Sequence, residues 1–352
     1  MFREKTRFVL EIEEQPEALR RVVKYYRAEG VEVLGRAASL CRCKDGGRIV
    51  FTGMGTSLYA ATLVYSLLAD SGAALPIVIE AGELLHHCSK GIEPEDVVVA
   101  ISQSGESFET VKIAEKLRGH KLLAITNILE SPLAQRTSLS LPILAGTEES
   151  ISSKSYTNKL AVLLLLANEI FGKKRNMVIE GLLRCAESME EFLEGRRDEI
   201  REAAEFLREA NFLYFISRGP SMAAAQQAAL TWMEGVHMPT AAMPGASFRH
   251  GPYELLRPGF HAICYAPDSQ AGFLVEKMAE EMAGFGARVV IFSGRRVKSD
   301  NGLFVIELEP GDDYLLPLTA AIPQELLLAQ MAKDRGWTAG VFERGSKVTR
   351  HQ

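Results

Sequence analysis

Apolar positions along this chain change their period several times, and each change marks an element. From about residue 8 to 45 they recur at helical spacing through Leu34 and Leu40. Pro16, in Glu14-Gln15-Pro16-Glu17, stands where the first turn of a helix tolerates proline, so this segment reads as helical. Between about 46 and 172 short apolar runs alternate with helical stretches. Strands are predicted at 48–51, 76–80, 97–101, 122–126 and near 139–143. Helices are predicted at 56–69 and 107–117, with a long apolar one from about 158 to 171. Such alternation argues for an α/β fold, a parallel sheet covered by helices on both faces.

A polar stretch over about 177–209, dense in Glu and Arg, reads as a helical connector with a solvated face. The pattern then restarts, with strands at 212–216, 261–265, 288–292 and 303–307 and helices at 221–234, about 269–285 and 316–334. The restart is an internal duplication. Ile49-Val-Phe-Thr-Gly-Met-Gly-Thr-Ser57 corresponds to Leu213-Tyr-Phe-Ile-Ser-Arg-Gly-Pro-Ser221, each a strand that ends near a Gly with a Ser opening the next helix. Two copies of one fold are therefore expected, over 46–175 and 209–340. A helical segment at 1–45, a connector at 176–208 and a tail at 341–352 complete the division.

Composition narrows the function classes. A chain of 352 residues is long enough for two domains, and 47% hydrophobic with 24% charged residues describes a globular protein with sizeable cores. A net charge of -5 without a dense basic cluster points away from nucleic acid. The five cysteines (Cys41, Cys43, Cys88, Cys185, Cys264) are scattered, and Cys41-x-Cys43 is too closely spaced for zinc ligation, so reduced structural thiols are expected. The N-terminus has no signal-peptide stretch, and no apolar run of about eighteen residues occurs. A cytoplasmic protein that touches no membrane is expected.

The densest chemistry follows the apolar run Val97-Val98-Val99. Ser102-Gln103-Ser104-Gly105-Glu106-Ser107 is a hydroxyl-rich turn leading from a strand into a helix. Helix N-termini favour anions, and small side chains let a phosphate approach the backbone. The turn lacks the lysine and glycine spacing of a nucleotide P-loop, so a single phosphate monoester such as a sugar phosphate is the expected ligand. Gly53-Met-Gly-Thr-Ser57 closes another strand of the same sheet. It does not complete a dinucleotide fingerprint, but Thr56 and Ser57 would face the same end, where ligands of open parallel sheets bind. The second copy has Ala266-Pro-Asp-Ser-Gln-Ala-Gly272 at this turn, so only the first copy is expected to hold phosphate.

Other candidates are isolated. Glu148 and Glu149 lie in a polar loop before the long apolar helix and are candidates for a catalytic acid, though adjacent loop acids are more often solvated, with Ser152 and Ser153 as helix caps or ligand contacts. Glu234 ends an Ala-rich helix and is either a solvated end or a buried base. His250 stands in Phe248-Arg249-His250-Gly251-Pro252, where Gly-Pro forces a turn that exposes the imidazole. Lys347 sits in a tail otherwise without features. His86 and His87 read as structural or surface, and Trp232 and Trp337 as core.

Taken together, Gly55-Thr56-Ser57, Ser102 to Glu106, Glu234, His250-Gly251-Pro252 and Lys347 resemble the sugar isomerase (SIS) family. Within it they are most similar to the isomerase half of the glucosamine-6-phosphate synthases and to related amino-sugar-phosphate deaminases and deglycases. The resemblance covers nearly the whole chain. It implies two tandem SIS domains of flavodoxin-like, three-layer α/β/α form, a homodimer, and chemistry without cofactor or metal. Ser102, Gln103, Ser104 and Ser107 match the phosphate turn, and Thr56, Ser57 and Ser153 line the same sugar site. Glu234 matches the base that shuttles a proton between C1 and C2, and Lys347 the tail lysine that opens the sugar or forms an imine. His250 matches the ring-opening histidine that reaches the neighbouring subunit's site.

Departures from the synthase pattern lean towards degradation. The chain starts at the isomerase half, so glutamine is not the expected ammonia source. Thr231 and Gln227 replace a lysine and an acid, and Phe248-Arg249-His250 is the deaminase-like form. Conversion of glucosamine 6-phosphate, or a close analogue, to fructose 6-phosphate and ammonia is therefore expected. A glycated-amine 6-phosphate deglycase, an ammonia-dependent aminotransferase and a non-catalytic sugar-phosphate sensor are the alternatives.

Overall fold

Val97–Ile101 is buried at all five positions, as a strand covered on both faces must be, and its unbroken apolar run is the mark of a parallel sheet. The computed structural model describes residues 5–43, 46–69, 75–172, 175–345 and 347. The chain divides into two compact units. One comprises Glu17–Glu148, Lys154–Leu183 and Phe342–Gln352; the other comprises Met1–Pro16, Glu149–Ser153 and Arg184–Val341. Each unit therefore draws in a short segment that is remote in sequence.

The first-sheet unit holds β1 (Ile49–Gly53), β2 (Ile77–Glu80), β3 (Val97–Ile101), β4 (Lys121–Thr126) and β5 (Leu139–Pro142) in the order β2-β1-β3-β4-β5, every pairing parallel. The direction of winding reverses between β1 and β3. In that pairing Gly53 stands beside Ile101, so the turns leaving these two strands are neighbours. The helix Lys154–Ile170 begins four residues before the expected start, and its residues 154–167 are all buried. At its core-facing positions Leu160 to Ala167 supply the apolar surface that stabilises it, at roughly 25 cal/mol per Å² removed from water.

The second-sheet unit holds β6 (Leu213–Ser217), β7 (Thr240–Pro244), β8 (His261–Ala266), β9 (Arg288–Ser293) and β10 (Leu303–Glu307), again all parallel. Its order, β10-β9-β8-β6-β7, read from the β7 edge is the order of the first sheet. The chain is thus an α/β protein of two parallel five-stranded sheets flanked by helices, with one topology repeated.

Three expectations need correction. β7 was not expected: Thr-Ala-Ala-Met-Pro has little β-branched character, and as an edge strand it is only half-buried. The polar stretch over 177–209 forms two helices, Arg175–Gly195 and Arg197–Phe206, whose Leu182, Met189, Phe192 and Ala203 are buried, so it has an apolar face as well as a solvated one. Trp232 is fully buried, but Trp337 is 41% exposed and packs its ring on His237 at 4.4 Å instead of entering a core. Among the described residues no helix is long and apolar enough to cross a membrane.

Candidate functional site

The serine turn leaves β3 held by the backbone of the β4 side. Ser102 N–H donates to the Ile125 carbonyl at 3.0 Å, Asn127 N–H to Gln103 at 3.0 Å, and Leu133 N–H to Gly105 at 3.0 Å. Gly105 has φ +65°, and a Cβ there would run into the Ser131 hydroxyl, so the turn needs glycine on two counts. The hydroxyls fold inward. Ser102 Oγ accepts from Gly105 N–H at 3.1 Å and donates to Ser107 Oγ at 3.3 Å, and Ser104 Oγ accepts from Glu106 N–H at 3.1 Å. Ser107 precedes the helix Phe108–Lys116 without capping it through its side chain. Ser102 and Ser104 are buried, and Gln103 and Ser107 half-buried.

Across the strand ends, Gly53 leads into the helix Thr56–Ala69. A Cβ on Gly53 would stand 2.8 Å from the Ile101 carbonyl, so the two chain segments approach closely. Thr56, Ser57 and the serine turn therefore share the crevice at the reversal of strand order, where ligands of doubly wound sheets bind.

Two side chains that sequence reasoning misjudged or missed lie in the same unit. Glu148 was expected to be solvated; its carboxylate is instead fully buried. It accepts from Ser155 N–H at 2.9 Å, from Ser155 Oγ at 2.6 Å and from Lys347 Nζ at 2.9 Å. Burial pushes its pKa up, but the Lys347 ammonium and the Ser155 donors outweigh that and hold it below the usual carboxylate value. Glu149 is the exposed one of the pair, at 65%. Lys159, between the polar stretch Lys154–Asn158 and the apolar run from Leu160, is 1% exposed and sends Nζ to Ser57 Oγ at 3.1 Å and to Thr56 Oγ1 at 3.4 Å. Burial lowers its pKa to about 8; Glu148 opposes the shift and Lys347 adds to it. A lysine in so apolar a helix is a sequence signal for a buried charge with a task.

The first-sheet unit thus brings together Thr56, Ser57, Ser102, Gln103, Ser104, Ser107 and Lys347, with Glu148 and Lys159 added. Ser153, Glu234 and His250 belong to the second-sheet unit. There Ser153 is fully buried, and Glu234 is half-buried on the helix Met222–Gly235. Thr231 is buried and donates to the Gln227 and Ala228 carbonyls. Gln227 in turn accepts from Gln324 at 2.5 Å and contacts Glu325, a buried polar network that explains these residue types structurally. His250 follows the short helix Gly245–Arg249 and is exposed, while Phe248 beside it is fully buried and Arg249 binds Glu281 at 2.6 Å. The turn after β8 commits Ser269 to the Asp313 carboxylate at 2.8 Å. Among the described residues no group of three or more His, Cys, Asp or Glu could hold a metal ion.

Comparison with known proteins gives a consistent picture. Residues 42–169 match the SIS domain family. The chain is 30% identical over 338 residues to the glutamine–fructose-6-phosphate aminotransferase [isomerizing] of Thermococcus kodakarensis, covering 93% of this chain and 55% of that protein. The chain spans about half the length of the curated relatives it matches. Among solved structures it is similar to the C-terminal domain of glucosamine-fructose-6-phosphate aminotransferase from Francisella tularensis (TM-score 0.84, 23% identity, 96% of this chain and 99% of that one). It is also similar to glucosamine-6-phosphate deaminase from Thermotoga maritima (TM-score 0.73, 20% identity, 95% and 96%).

Proposed function

Because the chain belongs to the SIS domain family, we propose that it is a phosphosugar isomerase/deaminase acting on an amino-sugar phosphate. Glucosamine 6-phosphate plus water would give fructose 6-phosphate plus ammonia. The observation that carries the reading is the crevice between β1 and β3. It combines a turn rich in hydroxyls, two helix N-termini, the buried Lys159 and the Lys347–Glu148 pair, all suited to one phosphate monoester.

In this mechanism Ser102, Gln103, Ser104 and Ser107 hold the phosphate, and Thr56, Ser57 and Ser153 line the same sugar-phosphate site. His250, supplied by the neighbouring subunit of a homodimer, assists ring opening. Lys347, presented as an ammonium on Glu148, protonates the departing ring oxygen. Glu234 then takes the proton from C2, leaving an enolamine, and returns it to C1, which leaves an imine at C2. Water adds to that carbon and ammonia departs, giving the ketose phosphate. These roles follow the family pattern at positions of matching residue type.

The names of the relatives support both directions of this chemistry, synthesis and deamination. The Phe248-Arg249-His250 sequence favours deamination. The test is to incubate the purified protein with glucosamine 6-phosphate and measure ammonia and fructose 6-phosphate. Turnover only of a fructoselysine-type 6-phosphate would move the activity to deglycation. Phosphosugar binding with no turnover of any amino-sugar phosphate would leave a sensor.

A further inference from the structure

We propose that Lys159 is the positioning residue that makes this crevice select a doubly ionised phosphate ester. It would do so by turning the Thr56 and Ser57 hydroxyls into obligate donors and by placing a buried ammonium beside them. The proposal deepens the phosphosugar reading and rests on it.

Three observations carry it. An ammonium has donors and no acceptor, so the Thr56 and Ser57 oxygens that lie 3.4 and 3.1 Å from Nζ must accept from it. Each hydroxyl must then aim its own proton elsewhere, and a ligand oxygen in the crevice is the natural recipient. Second, Lys159 is 1% exposed, and of the charges that act on it Glu148 favours the ammonium while Lys347 opposes it. A buried ammonium is costly, and an anion bound beside it reduces that cost. Third, the ammonium lies at the N-terminal turn of the helix Thr56–Ala69, the positive end of the macrodipole, where a cation by itself is unfavourable. A bound anion relieves both penalties together.

The charged groups acting on Lys159 are Glu148, from the loop before its helix, and Lys347, from the tail. The helix Val31–Cys41, which also packs along Lys154–Ile170, carries Glu32 and Arg36, and neither contributes to the shift. Burial brings the ammonium to half-ionisation near pH 8, whereas a phosphate monoester is already a dianion there, its second ionisation lying near pH 6. Binding the dianion must raise the Lys159 pKa. Binding above pH 8 therefore takes up a proton, and affinity falls with pH by up to about tenfold per unit between the free and bound pKa values.

The experiment is calorimetric titration of the intact protein with fructose 6-phosphate and with inorganic phosphate. It runs from pH 7 to 9.5 in two buffers of different ionisation enthalpy, for the wild type, Lys159→Met and Lys159→Arg. The expected result is proton uptake above pH 8 in the wild type and at least tenfold weaker binding at pH 7 for Lys159→Met, with no uptake near pH 8. Lys159→Arg should recover binding and lose the alkaline limb. A wild-type affinity that is flat from pH 7.5 to 9.5 without proton uptake overturns the proposal, and needs no variant to fold. Methionine at 159 binding as tightly as lysine also overturns it. Proton-linked binding without turnover of any amino-sugar phosphate would leave Lys159 in this role while removing the deaminase reading; turnover with a flat profile would do the reverse.

Discussion

Lys347 Nζ and Glu148 Oε2 meet at 2.9 Å across 199 positions of sequence, and the carboxylate is fully buried while the lysine is 19% exposed. The contact joins the tail to the loop ahead of the helix Lys154–Ile170. Removing one member leaves a buried charge short of its partner, which costs about 3–5 kcal/mol, more than the pair itself contributes. Glu148→Gln is therefore expected to lower thermal stability and, under the proposed mechanism, to reduce kcat by more than tenfold. The double variant Glu148→Gln with Lys347→Met should lose less than the sum of the two single losses. Additive unfolding free energies from urea melts would show that the pair is not coupled.

Lys159 makes a second prediction, of opposite sign to most buried substitutions. Its folded pKa, about 8, lies below the ordinary lysine value of 10.5, so between those two values the unfolded chain binds more protons than the folded one. Stability from this group therefore rises with pH from about 8 to 10.5, and the ammonium is a full burden below 8, on the order of 3 kcal/mol. Lys159→Met should melt higher than the wild type at pH 7, less the loss of two hydrogen bonds, and its advantage should shrink towards pH 10. Melting curves of the two proteins at pH 7 and pH 9.5 decide the matter; an advantage for methionine that grows with pH would contradict it.

Much of this architecture was legible in the pattern of residues. The runs at Val97–Ile101 and Leu303–Glu307 are strands at the expected bounds, and Thr56–Ala69 is a helix at its expected bounds, because apolar period and turn chemistry agree there. The repeat at Ile49 and Leu213 marked what the two identical strand orders display. What escaped depends on distant partners. The sequence around Glu148 does not distinguish it from Glu149; the groups that hold Glu148, among them Lys347, include one far along the chain. Lys159 was hidden because it closes the polar stretch Lys154–Asn158, where one more charged residue reads as solvated. Trp337 follows the last long helix, outside the apolar periodicity that would have shown which way its ring lies.

Gly105 carries the shape of the serine turn. Alanine there would have to adopt φ +65° and displace the Ser131 hydroxyl. The left-handed conformation alone costs roughly 1–2 kcal/mol for a residue with a Cβ. Gly105→Ala should lower the melting temperature by several degrees and weaken fructose 6-phosphate binding by at least tenfold, because the turn must shift to make room. Unchanged affinity with lowered stability would separate the turn from the ligand site.

Asp96 ties the beginning of β3 to that of β1. Its carboxylate is 1% exposed and accepts from Arg48 N–H at 2.8 Å, Arg48 Nε at 3.1 Å, Arg48 Nη2 at 2.5 Å and Glu93 N–H at 2.9 Å. The Arg48 guanidinium, aided by the two backbone donors and opposed by burial, brings its pKa from 3.8 to about 2. A depressed carboxylate contributes stability that is complete above pH 3.8 and disappears as pH falls towards 2, here about 2 kcal/mol. Asp96→Asn should thus be destabilised by about that amount at pH 6, and the gap between variant and wild type should close on acidification. Because other carboxylates titrate in both proteins alike, the difference between their urea midpoints at pH 6 and pH 2.5 isolates this one, and a gap that widens in acid would mean that Arg48 is not its principal partner.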